Sequence, residues 1–347
     1  MKSGKSNRFD GLDAIRFVCA MFVLITHVGI PPVPNPFPEG TWLHLGFRGV
    51  LGNVFSGPAA VIVFFLVSGF CIHHPFIDPS RPLNRAAFYA RRGIRISLPA
   101  ACGIAAGWVA DAALPKVLEP VLWSLVAELI YYALYPWLRA ARFRFGSWRP
   151  LLIASYVGAF LVVLTHPRAV HYHSYGSGLN WLLGLPCWLL GCVLAERADE
   201  GWASPPSRLR VWLLRGTVLA AASLCSALRF HSPMGYPWTL NLFALLVWVW
   251  LEAELGFRLK TPAPAWLERA GAWSYSLYLM HLPFQSMLAR GELFQGAGLG
   301  SWGMRAGALL ALSYLFFRCV EAPSHRLAVR LGQQIGQSRP VVGAAAS

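Results

Sequence analysis

Residues 14–30 read AIRFVCAMFVLITHVGI, and this stretch decides the fold. It is long and apolar enough for a helix to cross the ~30 Å hydrocarbon layer of a bilayer. Two groups interrupt it, Arg16 and His27. A charge inside a bilayer is costly, so an intramembrane arginine marks function by default. The pair is eleven residues apart, close to three helical turns. Both side chains therefore leave one face of the helix, about 16 Å apart along its axis. One end of that face carries a cation and the other an imidazole.

The rest of the chain agrees. Its 347 residues are 56% hydrophobic and 13% charged, with mean hydropathy +0.48. Soluble domains carry about 25% charged residues, so this composition indicates an integral membrane protein. A net charge of +15 in a soluble chain would suggest nucleic acid. Here the basic residues lie in short loops between apolar runs, so membrane topology accounts for them and no nucleic-acid partner is expected. MKSGKSNR ahead of an apolar run imitates a signal peptide. Arg16 breaks that run, however, and prolines 31, 32, 34, 36 and 38 follow it instead of a small-residue cleavage site, so an uncleaved first helix is expected. The seven cysteines form no CxxC and lie mostly in apolar runs, as small fillers. Neither a disulfide framework nor a metal site is expected.

Apolar runs recur at 12–30, 52–73, 97–114, 119–138, 151–166, 179–195, 211–229, 238–255, 271–289 and 302–320. Backbone polar groups in lipid must be satisfied internally, and no alternating strand pattern occurs. The expected fold is thus an all-α polytopic bundle of about ten transmembrane helices. Alternate loops divide the Lys and Arg residues 22 against 6, with Arg16 and Arg215 inside helices. The positive-inside rule then puts both termini in the cytoplasm. A single membrane domain is expected over residues 9–326, followed by a short cytoplasmic tail at 327–347. No tandem repeat is visible.

Five constellations could carry chemistry. Arg16 and His27 are the first; His titrates near neutrality and suits a general base, although an interfacial His can also simply end a helix. The second is WSLVAELIYY at 123–132. Glu128 is the only carboxylate near the middle of any expected span, with Ser124, Tyr131, Tyr132 and Tyr135 on or beside its face. It could orient a catalytic His or hold a substrate hydroxyl, or only bond helices together. The third is SYSLYLMHLP at 274–283, where Ser274, Tyr278, His281 and Gln285 form a polar stripe. His281, His27 and Glu128 are expected at similar depth. The fourth is the cluster Arg91, Arg92 and Arg95 with Pro99, fit either for the phosphates of an anionic cofactor or for lipid contact. The fifth, FFLVSGF at 64–70, offers Ser68 and a packing glycine, Gly69. His73 and Asp78 imitate the H-x4-D pattern of glycerolipid acyltransferases, but no second block of such enzymes accompanies them. GxSxG, P-loop and HExxH motifs are absent.

FDGLDAIRFVCAMFVLITH at 9–27 resembles the first-helix signature of acyltransferase family 3, the membrane-bound O-acyltransferases of the acyltransferase 3 type. So, in the family's order, do FFLVSGF, the RRGIR cluster with Pro99, WSLVAE at 123–128, WSYSLYLMHLP at 273–283 and Glu321-Ala322-Pro323. The resemblance implies about ten membrane helices in a bacterial-type inner membrane. It implies transfer of an acyl group, commonly acetyl, from cytoplasmic acyl-CoA to a hydroxyl of a glycan, lipid-linked sugar or other exported acceptor. Arg16 and His27 match the essential first-helix pair, and Glu128 joins them as an expected catalytic residue. The Arg92–Arg95 spacing matches the cytoplasmic arginine motif, and Arg91, Arg92 and Arg95 are expected to bind acyl-CoA. Ser68, Trp123, Tyr278 and His281 are expected to contact substrate. Two features depart from the family pattern. The stretch between Arg95 and Trp123 is short, and no hydrolase-like domain is appended, so acceptor handling falls to the membrane domain, its outer loops or a partner. The rival class is a transporter or channel lined by the same Arg, Glu and His. A different membrane acyltransferase family of the MBOAT type would need a His with Asn or Asp in a larger helix set. A scaffold would not need its polar groups to converge.

Overall fold

The computed structural model describes residues 9–337 apart from 111–113, 203 and 292–293, with the backbone alone over 110–120. Lys2, Lys5, Arg8 and Arg339 of the charge count lie outside the described residues, as does the tail beyond 337. Among the described residues, thirteen α-helices follow one another: α1 Leu12–Val28, α2 Trp42–Val54, α3 Gly57–His73, α4 Arg85–Ala110, α5 Leu114–Phe145, α6 Arg149–Thr165, α7 Gly176–Glu200, α8 Arg208–His231, α9 Tyr236–Arg258, α10 Ala265–Gly271, α11 Ser274–Leu288, α12 Leu299–Phe316 and α13 Ala322–Gln337. Each expected apolar run falls mainly on one helix. Among the described residues, six helical segments are long and apolar enough to cross a membrane: 42–76, 121–145, 172–200, 208–231, 236–258 and 299–337. α6 is a shorter apolar helix. The protein is therefore an all-α polytopic membrane bundle. Large apolar side chains such as Ile153, Val157, Leu161 and Leu164 on α6 and Leu213 and Leu224 on α8 are exposed, as a lipid-facing surface requires.

α3 is the central helix. It is apolar on every side, and such a helix is buried all round. Beyond Pro58 in its first turn, its partly exposed positions Phe64, Ser68 and Cys71 form one stripe, and that stripe faces an internal cavity. α3 packs most extensively on α7. A Cβ at Gly69 would strike the Trp188 carbonyl, and one at Gly191 would strike the Leu66 carbonyl. These two glycines let the backbones meet, the usual device between membrane helices, where lipid supplies no hydrophobic drive for association.

α1 is pinned at both ends. At its start, Gly11 has φ 94°, a left-handed conformation that suits glycine. Glu268 on α10 accepts hydrogen bonds from Gly11 N (2.8 Å) and Ala14 N (3.1 Å), satisfying free amides and complementing the helix dipole. Asp10 accepts from Ala263 N at 2.6 Å. Near its end, Gly57 N at the head of α3 donates to Thr26 Oγ1 at 3.0 Å. The FDGLD and ITH portions of the first-helix stretch therefore hold the helix that carries Arg16 and His27.

Two segments differ from expectation. The expected tail from residue 327 continues as helix to Gln337, because α13 is amphipathic. Ser324, Ala328 and Gly332 form a buried stripe on α4, with Gly332 against the Arg91 side chain. The arginine cluster also lies within α4 instead of preceding it, since that helix starts at Arg85 and runs through Pro99.

Candidate active site

Arg92 and Arg95 are one turn apart on α4 and share a face, while Arg91 turns toward α13. Arg16 on α1 joins them, with its Nη1 3.6 Å from Asp13 Oδ1. These three cations line an inner cavity together with Ser68, Ser124, Glu128, Tyr132, Tyr275 and Tyr278. Glu128 accepts from Ser68 Oγ at 2.6 Å and from the Tyr132 hydroxyl. Trp188 Nε1 bonds Ser68 in turn at 3.3 Å. Three cations face one carboxylate, so the chamber favours an anionic or strongly polarised guest. Tyr275 OH donates to the Ile96 carbonyl (2.9 Å), joining α11 to α4 at the chamber wall. Arg92 and Arg95 also line a second, polar cavity with Arg81, Arg91 and His325 between α4 and α13.

His27 lines a third, outer cavity with Trp123, His171, Tyr172, His173, Arg229, Tyr236 and Tyr278. Trp123 stacks on Tyr172 with ring centroids 5.3 Å apart. Tyr278 and Val61 line both the inner and outer cavities and so form their shared wall. The Tyr278 hydroxyl lies 2.6 Å from Ser124 Oγ.

Hydrogen bonding settles the state of the two histidines. His281 Nδ1 lies 2.7 Å from the Tyr278 carbonyl and 3.3 Å from that of Leu277. A carbonyl only accepts, so His281 Nδ1 carries the proton and its Nε2 presents a lone pair. That Nε2 is 3.2 Å from His27 Nδ1, which is itself 2.9 Å from the Val23 carbonyl. His27 Nδ1 is therefore the protonated nitrogen, and His27 Nε2 keeps its lone pair. Gln285 Nε2 donates to the His27 carbonyl at 3.0 Å.

The three groups expected at one depth separate into two sets. Glu128 joins Arg16 in the inner cavity and does not orient His27; its bonds run to Ser68 and Tyr132. His281 partners His27 instead. His281 is fully buried and lines neither cavity, so the substrate contact expected of it gives way to a place behind His27. Of the other residues expected to contact substrate, Ser68 and Tyr278 line the inner cavity, and Trp123 and Tyr278 the outer one. The H-x4-D pair is structural: His73 bonds Tyr135 and Glu196, while Asp78 accepts from Ser80. Among the described residues, no group of three His, Cys, Asp or Glu is placed to hold a metal ion.

Several site residues escaped the sequence. Arg81 and Arg229 counted only among the loop Lys and Arg residues, and His171, His173 and His325 carried no motif. Glu321, noted within Glu321-Ala322-Pro323, accepts from Ser276 N (3.0 Å) and Ser276 Oγ, fixing the first turn of α11. Glu254 is buried between Arg215 (2.6 Å) and Arg258 (2.9 Å), a second carboxylate within the bundle.

Residues 9–318 match the family model described as an acyltransferase domain. The chain is 26% identical, over an alignment 396 positions long, to the acyltransferase MdmB of Streptomyces mycarofaciens, across 97% of this chain and 95% of that protein. No solved structure matches the chain.

Proposed function

The chain belongs to acyltransferase family 3 and is a membrane acyltransferase, and from that premise we propose that it carries an acyl group, acetyl in the first instance, from cytoplasmic acyl-CoA to a hydroxyl of an exported glycan or similar acceptor. Ten helices cross a bacterial-type inner membrane, and both termini are cytoplasmic. The observation that carries this reading is the row of three cavities with shared walls. Arg92 and Arg95 join the polar arginine cavity to the inner one, and Tyr278 and Val61 join the inner one to the outer.

Each cavity has a role in that row. The CoA phosphates bind Arg81, Arg91, Arg92 and Arg95 at the cytoplasmic end, where the planar guanidinium fork suits phosphate oxygens. The pantetheine arm passes Arg16 and brings the thioester to Tyr278. The acceptor enters from the outer side and presents its hydroxyl to His27. His27 Nε2 takes the hydroxyl proton as the oxygen attacks the thioester carbonyl carbon. The C–S bond then breaks, and the imidazolium returns the proton to the departing thiolate sulfur. Both substrates stay on their own sides of the membrane until they meet at one tyrosine.

The test is transfer of radiolabelled acetyl from acetyl-CoA by the purified full chain in detergent, against a panel of soluble glycosides. General-base catalysis contributes typically about 10²–10⁴-fold, so His27→Ala should lose turnover on that scale at equal folded yield. Full activity in that variant would remove His27 from the mechanism.

A further inference from the structure

The outer cavity holds an unspent cation. Arg229, in the last turn of α8, lies with its guanidinium carbon 3.8 Å from the ring centroid of Phe230 and 4.9 Å from that of Tyr236. Among the described residues it forms no ion pair and no hydrogen bond, and its Nε is buried without a partner. Among the described residues, the lining of the cavity includes no Asp or Glu. Burial, His173 and Arg229 push His171 down to about 4, so that ring is neutral at physiological pH and offers hydrogen bonds without charge. The His171 and His173 rings stack at 5.0 Å. Two aromatic rings thus fix the guanidinium while its in-plane N–H donors stay free. That is the arrangement for gripping a planar or tetrahedral oxyanion through two parallel bonds. A buried charged donor left without a partner is expensive, so a guest that supplies the acceptor gains correspondingly.

Trp123, Tyr172 and Tyr236 add flat aromatic surface to the same chamber, and His27 lines it too. We propose that the outer cavity is an acceptor subsite for a molecule that bears an anionic group, carboxylate or phosphate, beside its reactive hydroxyl, with Arg229 holding the anion while the hydroxyl faces His27. The subsite rests on the proposed function for the meaning of "acceptor", but its binding chemistry stands apart from catalysis. Arg229 selects anionic acceptors, and the aromatic rings take the apolar faces of the molecule that carries them.

The experiment compares three probes: methyl glucoside, methyl glucuronide and methyl glucoside 6-phosphate. Binding to the full chain in detergent is followed by ligand-observed NMR titration for wild type, Arg229→Gln and Arg229→Lys. Hydrogen bonds to a charged group predict that at least one anionic glycoside binds about tenfold or more tightly than the neutral one. Which of the two wins tells carboxylate from phosphate. Arg229→Gln should bring that ratio close to one. Arg229→Lys keeps the charge but not the fork, and should recover only part of it; its gel-filtration profile also reports on folding. Equal binding of neutral and anionic probes, no binding of either anionic probe, or a preference that survives Arg229→Gln in a well-folded protein each overturn the assignment. Acetyl transfer then separates the two ideas. Anion-selective binding with no transfer from acetyl-CoA sinks the proposed function and leaves the subsite. Transfer without anion preference does the reverse.

Discussion

A histidine acts as a base only at the nitrogen that lacks a proton, so the neighbours of the other nitrogen decide whether it can work. His27 has the Val23 carbonyl and His281 Nε2 on its Nδ1 side, and both accept. His281 can accept there because the Tyr278 and Leu277 carbonyls hold the proton on its own Nδ1. A relay of backbone carbonyl, His281 and His27 thus presents His27 Nε2 as the basic atom, without a carboxylate. His281→Ala should lower kcat by about tenfold up to 10⁴-fold, depending on how far the wrong tautomer takes over, and leave KM for acyl-CoA unchanged. His281→Gln keeps an acceptor oxygen for His27 Nδ1–H and should recover part of the loss. Steady-state kinetics with both substrates varied checks this; an effect confined to acceptor KM would restore the substrate-contacting role that the sequence suggested.

At the scale of elements, α1 carries both Arg16 and His27, which line different chambers, and the proposed mechanism makes it the working helix. Its placement depends on partners far along the chain, above all Glu268. Removing a helix cap costs about 1 kcal/mol, so Glu268→Ala should lower stability by that order. Turnover should fall as well, since both site residues shift with the helix. Thermal unfolding in detergent, alongside the transfer assay, measures both. The α3–α7 contact is stricter. Gly191→Ala puts a methyl group onto the Leu66 carbonyl, and overpacking of this kind costs about 1–3 kcal/mol. A clearly lowered unfolding temperature is expected; an unchanged one would show that the two backbones can separate freely.

For the whole molecule, the row of cavities predicts sidedness. Acetyl-CoA should support transfer when supplied at the cytoplasmic face of sealed vesicles and fail from the opposite face. Arg92 belongs to both the polar arginine cavity and the inner chamber, so Arg92→Ala should raise KM for acyl-CoA by about tenfold, the value of one charged hydrogen bond or more. An unchanged KM would assign the arginines to lipid contact. Reporter fusions at both ends test the cytoplasmic termini, and glycosylation or cysteine tags in alternate loops count the crossings.

Much of this molecule was legible in one dimension. Length and apolarity are local properties, and lipid forces each long apolar run to become a helix, so the helices could be located from composition alone. Arg16 with His27, and Arg92 with Arg95, were visible because a helix turns chain spacing into a shared face. What each face meets is another matter. α3 is apolar on every side and carries no mark of its partner; two glycines and the surrounding helices settle that α7 lies against it. Glu128 and His281 both looked fit to serve His27, and only the packing of α1 against α11 gave the place to His281. Arg229 passed for a topology charge until the fold put two rings against it, in a cavity with no carboxylate among its described lining residues. Contacts between residues hundreds of positions apart arise from how helices dock, and docking depends on shape at every interface at once, which no single stretch of the chain contains.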